Sequence, residues 1–355
     1  MKLFESVMWN YIDEEQDVLH RNFDREDIYE LARQIKGYKT IYCVSHGSSY
    51  NASVTVMPFF RRYAHVNVSC ITAGNFIPSK ELAALLDPES TLIVLISQTG
   101  NSRGTLQSAE LAREYHLKTL GISADDSAAL KRYTDFFLPL NCGEEDSNAK
   151  TKGMSSTILV LLLLATCIGH LNHHLTEDTK EEIVRELSSQ CDSLAEVKKR
   201  SIEFARNNAF GLGMDHLYII GSDMNYGLAL EAQIKVMETM CIPTCAVDSE
   251  EFSHGTHRSV NKDTSLLLIR TDQNGKLAQS IFDYFKDIAK VFMIETGSEN
   301  SDATVMHVEN YPLTESVLII LEFIQIISAY APELNGLDPN RDANNEFTEL
   351  VETRI

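Results

Sequence analysis

Thr91-Leu92-Ile93-Val94-Leu95-Ile96-Ser97-Gln98-Thr99-Gly100-Asn101-Ser102 decides the fold. Six apolar or β-favouring residues run without alternation, which is the pattern of a strand buried on both faces of a parallel sheet. Hydroxyls, an amide and a glycine follow, and then a helix-forming stretch near 103–115. A strand, a Gly/Ser turn and a helix make one α/β unit. The same grammar occurs upstream, where Thr40-Ile41-Tyr42-Cys43-Val44 leads into Gly47-Ser48-Ser49. Such turns serve as ordinary helix N-caps. Two of them in one domain, both rich in hydroxyls, point to an anion cradle. Glycine lets the backbone approach, hydroxyls donate, and the following helix presents its first N–H groups.

Working outward, the chain repeats itself. Lys39–Ser45 resembles His216–Gly221, Leu92–Ser97 resembles Leu266–Thr271, and Lys118–Ile122 resembles Lys290–Ile294. The partners lie about 174 residues apart, half the chain, which suggests an internal duplication. The first half, 30–175, carries expected strands near 40–45, 67–72, 92–97, 118–122 and 135–140, with helices near 50–63, 103–115 and 154–172. A polar helix at 176–208 links it to the second half, 209–340. That half has expected strands near 217–221, 244–248, 265–270, 290–295 and 304–308, and helices near 226–240, 276–288 and 313–331. The tail is 341–355. Strands alternating with amphipathic helices predict an α/β fold of two tandem doubly wound parallel sheets. Ligands of such sheets sit at the carboxyl ends of the strands, where both hydroxyl-rich turns fall.

Composition narrows the function. A length of 355 residues and 44% apolar content fit two domains with ordinary cores. The net charge of −20 argues against nucleic acid or an anionic membrane as partner. Seven cysteines without metal-site spacing read as buried thiols in a reducing cytoplasm. The apolar run Ile158 to Ile168 is too short to span a bilayer and reads as a core helix.

A second constellation lies in 228–240. Glu231, Lys235 and Glu238 fall at i, i+4 and i+7 and share one helix face. That spacing usually marks a solvated face with a salt bridge. The apolar surroundings of this helix instead predict burial, where charges need partners or a purpose. Downstream, His254 precedes a glycine in a polar loop, where a histidine can serve as a proton shuttle, with His257 as a competing candidate. A carboxylate and a histidine together can shift protons between the carbons and oxygens of a sugar without a metal.

These motifs resemble those of the sugar isomerase (SIS) superfamily. The similarity extends to the isomerase half of glucosamine-6-phosphate synthases and to the fructoselysine-6-phosphate-type deglycases. His46-Gly47-Ser48-Ser49-Tyr50-Asn51 is similar to the first sugar-phosphate loop, with His46 where cysteine is common. Ser97–Ser102 is similar to the Ser-Gln-(Ser/Thr)-Gly phosphate loop. Ala149-Lys150-Thr151-Lys152, preceded by Asn148, is similar to the Ala-Ser-Thr-Lys segment that lines the sugar. Ala229 through Glu238 is similar to the isomerase helix, and Glu251-Phe252-Ser253-His254-Gly255 to its histidine loop. The resemblance implies two flavodoxin-like SIS domains and a sugar-phosphate substrate. It implies Ser48, Ser49, Ser97, Gln98, Thr99 and Ser102 on the phosphate, with Asn148, Glu231 and Lys235 lining the pocket. It implies Glu238 moving a proton between C1 and C2, and His254 assisting at the oxygens. No cofactor or metal is implied. The expected state is a cytoplasmic homodimer in which one subunit lends its histidine to the other. Two departures steer the expected activity. No glutaminase segment is recognisable, and Glu349 replaces the lysine that synthase-like members carry near the C-terminus. Both favour a deglycase that splits a ketosamine 6-phosphate into a hexose 6-phosphate and an amine. A deaminase, an aldose–ketose isomerase and a non-catalytic sugar-phosphate sensor are the alternatives.

Overall fold

A computed structural model describes residues 3–271, 275–297, 301–344 and 346–351. It contains two compact units. One, built on the first sheet, comprises residues 17–145, 152–185 and 342–355. The other, built on the second sheet, comprises residues 1–16, 146–151 and 186–341. The helix Glu177–Asn207 contributes residues to both.

The first sheet has five parallel strands: β1 (Thr40–Ser45), β2 (Asn67–Thr72), β3 (Thr91–Ile96), β4 (Lys118–Ser123) and β5 (Phe136–Pro139). Their spatial order is β2-β1-β3-β4-β5. Every residue of β3 is buried, as its unbroken apolar run predicts for a central strand covered on both faces. On one face, Val44, Ile93 and Leu95 pack with Leu106, Ala109 and Ala112 of the helix Arg103–Glu114. The helices Gly47–Phe59 and Lys152–Leu171 pack together, and the former also packs on β1 and β2.

The second sheet comprises β6 (Leu217–Gly221), β7 (Thr244–Asp248), β8 (Ser265–Arg270), β9 (Lys290–Thr296) and β10 (Val305–Val308), all parallel. The order β10-β9-β8-β6-β7 gives the same strand sequence as the first sheet when read from its other edge. The observed architecture is therefore α/β with two parallel five-stranded sheets. Strand bounds expected from sequence agree with those found to within about two residues, the accuracy that fraying ends allow.

Among the described residues, two helices, Lys152–Leu171 and Val317–Leu334, are long and apolar enough to cross a membrane by length and composition. Both are buried along most of their length, so each is the core helix of its own unit. The helices Val7–His20 and Glu26–Ile35 were not among the expected elements. The second had a readable signal: Ile28, Leu31, Ala32 and Ile35, at helical spacing, are its buried face. All seven cysteines are free, but only Cys43, Cys142 and Cys191 are buried, and Cys241 and Cys245 are exposed. The expectation of uniformly buried thiols is corrected at those two, which lie at a helix end and on the edge strand β7.

Candidate functional site

The two hydroxyl-rich turns leave the carboxyl ends of β1 and β3, which are hydrogen-bonded neighbours. Gly47 adopts φ +55° at the start of its helix, and Gly100 adopts φ +66° in the second turn. Both are left-handed conformations that glycine enters without steric cost. Gly100 has a second reason to be glycine: a Cβ there would meet Ala128 Cβ at 2.4 Å and Ser123 Oγ at 2.8 Å. The loops adjoin each other. A Cβ on Gly104, in the first turn of the helix Arg103–Glu114, would lie 3.1 Å from Nε2 of His46.

The second turn is fastened through its backbone. Ser97 N–H donates to Ile122 O (3.0 Å), Ala124 N–H donates to Gln98 O (2.9 Å), and Leu130 N–H donates to Gly100 O (3.1 Å). Ser123 Oγ also donates to Gln98 O at 2.9 Å. Loop carbonyls are thereby turned inward onto β4 and its continuation. Ser97 is buried, Gln98 and Ser102 are half-buried, and Thr99 is exposed. Ser102 and His46 occupy the N-cap positions of the two helices, and neither side chain caps its own helix. The first-turn N–H groups therefore carry no side-chain cap from those residues, which suits an anionic ligand. Ser48 and Ser49 are half-buried in the first turn of Gly47–Phe59.

In the unit of the second sheet, the helix Met224–Met240 carries the carboxylates. Lys235 Nζ lies 2.6 Å from Glu231 Oε1, and both side chains are fully buried. The expected burial of these charges is found, and the pairing explains how the helix tolerates them. Glu238, one turn further on, is half-buried. Its Oε2 is buried and has no hydrogen-bond partner among the described residues. Burial pushes its carboxyl up to about 7; Lys235 and Lys150 pull it down, and Glu231 adds to the rise. Lys150, in the Ala149–Lys152 segment, thus acts electrostatically on Glu238. Asn148 is exposed, and its backbone N–H donates to Asn340 Oδ1 at 2.6 Å.

His254 ends the short helix Ser249–Ser253, which Asp248 caps by accepting from Glu250 N–H at 2.9 Å. The His254 side chain is exposed and makes no hydrogen bond or ion pair with Glu238 among the described residues. Its competitor His257 is half-buried, with Nδ1 3.2 Å from Phe252 O, a contact that fits a fold-holding role. The residues expected at the site divide between the units. Ser48, Ser49, Ser97, Gln98, Thr99 and Ser102 belong to the first sheet's unit, and Asn148, Glu231, Lys235, Glu238 and His254 to the second's. The side chain of Glu349 lies outside the described residues. A separate cleft lined by Arg113, His116, Lys118 and Asp135 opens at the amino end of β4, away from the loops, and its Lys118 is paired with Asp135 at 2.6 Å.

The chain is similar to several known proteins in sequence and in fold. A family model described as the SIS domain matches residues 34–167. Glutamine–fructose-6-phosphate aminotransferase [isomerizing] from Thermotoga maritima is 25% identical over 93% of this chain and 54% of its own length. The chain therefore spans about half the length of the curated relatives it matches. The crystal structure of a candidate phosphosugar isomerase from Clostridium difficile 630 superposes with a TM-score of 0.89 at 25% identity, covering 99% of both chains. Glucosamine-6-phosphate deaminase from Thermotoga maritima shares the fold, with a TM-score of 0.78 at 20% identity over 96% of this chain and 98% of its own. Residues 34–167 of this chain match the SIS-domain model, and over 93% of its length the chain is similar to an isomerizing glutamine–fructose-6-phosphate aminotransferase.

Proposed function

We propose that this chain is an enzyme of amino-sugar metabolism that cleaves a ketosamine 6-phosphate into a hexose 6-phosphate and an amine. The observation that carries this reading is Glu238. It is a carboxyl raised to about 7, with one buried oxygen lacking a partner among the described residues, beside a fully buried Lys–Glu pair. Such a group is suited to take and return a proton near neutral pH. Ser48, Ser49, Ser97, Gln98, Thr99 and Ser102 hold the phosphate, and Asn148, Glu231 and Lys235 line the sugar. Glu238 takes a proton from C1 and returns it at C2. The first transfer gives an enaminol and the second converts it to an imine, which water cleaves to an aldehyde and the free amine. His254 serves the ring and carbonyl oxygens. Its exposure on its own chain supports delivery to a second copy, so the working form is a homodimer with shared sites. Matching strand orders in the two sheets support an internal duplication of the SIS fold.

A simple aldose–ketose isomerase is the second reading. The near-complete match to a candidate phosphosugar isomerase favours it, and the same residues would serve. The test is a mass-spectrometric turnover screen with fructosamine 6-phosphates of several amino acids, glucosamine 6-phosphate and fructose 6-phosphate. Release of hexose 6-phosphate with a free amino acid is the expected result. Interconversion of hexose phosphates alone selects the isomerase, and ammonia release from glucosamine 6-phosphate alone selects a deaminase. Binding without turnover of any of them removes the enzymatic reading in favour of a sensor.

A further inference from the structure

Glu145 was not singled out by sequence, yet its carboxylate joins three groups. Oε2 accepts from Gln98 Nε2 at 2.6 Å and from Gly153 N–H at 2.9 Å, and Oε1 accepts from Lys152 N–H at 3.2 Å. The last two are first-turn N–H groups of the helix Lys152–Leu171. A carboxylate there satisfies orphan donors and meets the positive end of the helix dipole. Because a carboxylate only accepts, the Gln98 atom facing it must be the amide nitrogen, which fixes the orientation of that amide. The fit is tight: a Cβ on Gly153 would lie 2.3 Å from Nε2 and 2.8 Å from Oε1 of Gln98. The Gln98 side chain is thus clamped between the Glu145 carboxylate and a bare glycine backbone.

The geometry points to Glu145 as a positioning residue for phosphosugar binding. It acts through Gln98 to hold the Ser97–Ser102 turn in register with the Lys152–Leu171 helix. The inference rests on the reading of that turn as the phosphate loop. The physical logic is that Ser97 and Thr99 flank Gln98, so a swing of its side chain disturbs the hydroxyls on either side. A charge-assisted hydrogen bond restrains such a swing more strongly than a neutral one. One amide hydrogen of Gln98 is committed to Glu145, so Gln98 acts as frame as well as contact.

Calorimetric titration with fructose 6-phosphate and with inorganic phosphate tests this, using the full chain and the variants E145A, E145Q, Q98A and E145A/Q98A. E145A and Q98A should each weaken fructose 6-phosphate binding about tenfold, the scale of one charge-assisted hydrogen bond. The double variant should be no weaker than Q98A, because the two act through one contact. E145Q, which still accepts from the helix and can accept from Gln98, should fall between E145A and the unmodified chain. Affinity separates this role from simple helix capping, which predicts a lower thermal midpoint in E145A with fructose 6-phosphate affinity unchanged. Unchanged affinity in E145A and E145Q overturns the inference while leaving the phosphate reading intact, as do losses that multiply in the double variant. Failure of the unmodified chain to bind either probe overturns the phosphate reading and this inference with it.

Discussion

Lys235 Nζ and Glu231 Oε1 stand 2.6 Å apart with no solvent exposure on either side chain. They are one helical turn apart on Met224–Met240. A buried pair of this kind contributes little net stability, but losing one partner leaves the other charge stranded. E231A should therefore destabilise the fold by about 3–5 kcal/mol, whereas E231Q/K235M should cost much less. Urea denaturation of the three proteins checks this, and equal losses in both variants would contradict the pairing.

Glu238 sets the expected pH dependence of activity. Its carboxyl is raised to about 7, chiefly by burial. A base must be ionised, so kcat/KM should rise with pH along an acid limb centred near 7. E238Q should reduce kcat by about two orders of magnitude or more while leaving fructose 6-phosphate affinity within about threefold of the unmodified chain. The raised pKa also has a sign for stability: the neutral form is favoured in the fold, so its contribution fades as pH rises from the ordinary carboxylate range through about 7. E238Q should remove that part of the slope in thermal melts.

A second buried carboxyl gives a pH effect with no catalytic content. Glu322, inside the core helix Val317–Leu334, shares a hydrogen bond with Glu15. Burial first, and then the Glu15 charge, hold its carboxyl well above the usual range, against a pull from Lys198 and with a further push from Asp13. A carboxyl raised in the fold stabilises below its unfolded pKa and loses that contribution as pH climbs. The melting temperature should fall as pH rises above the ordinary carboxylate range, and E322Q should flatten the curve. A slope unchanged in E322Q would place its origin elsewhere.

Gly100 is the sharpest test of the loop itself. G100A forces a Cβ into φ +66° and against Ala128 and Ser123. Strain of this kind costs about 1–3 kcal/mol, relieved by shifting the turn. The variant should fold with a lower melting temperature and lose fructose 6-phosphate binding by at least about tenfold. Retained affinity would show that the turn does not hold the phosphate.

How far the sequence reads into this structure depends on what kind of signal each residue leaves. The strands were legible because parallel, doubly covered strands are continuously apolar, and β3 is buried at every residue. Gly100 was legible because a glycine after a strand and before a helix has few other purposes. Glu231 and Lys235 were legible as a face because helical spacing is periodic, and their burial followed from the apolar residues between them. Glu145 left no such trace. It sits in a polar loop beside Glu144 and Asp146, and only the fold sets its carboxylate against Gln98. Glu26–Ile35 had the periodic signal, but it is short and follows a charged stretch that reads as a loop.

His254 is the residue whose role the isolated chain leaves most open to experiment. Its ring is exposed and does not engage Glu238. If a second copy receives it, each site draws Glu238 from one subunit and His254 from the other. E238Q and H254A homodimers should then both be nearly inactive. Unfolding and refolding an equal mixture forms heterodimers in which one site carries both substitutions and the other carries none. Activity should recover to about a quarter of the unmodified level, since half of the dimers are mixed and half of their sites are intact. If both residues act within one chain, every site in the mixture has a defect and no recovery occurs. A monomeric mass in sedimentation would exclude the shared site by a separate route.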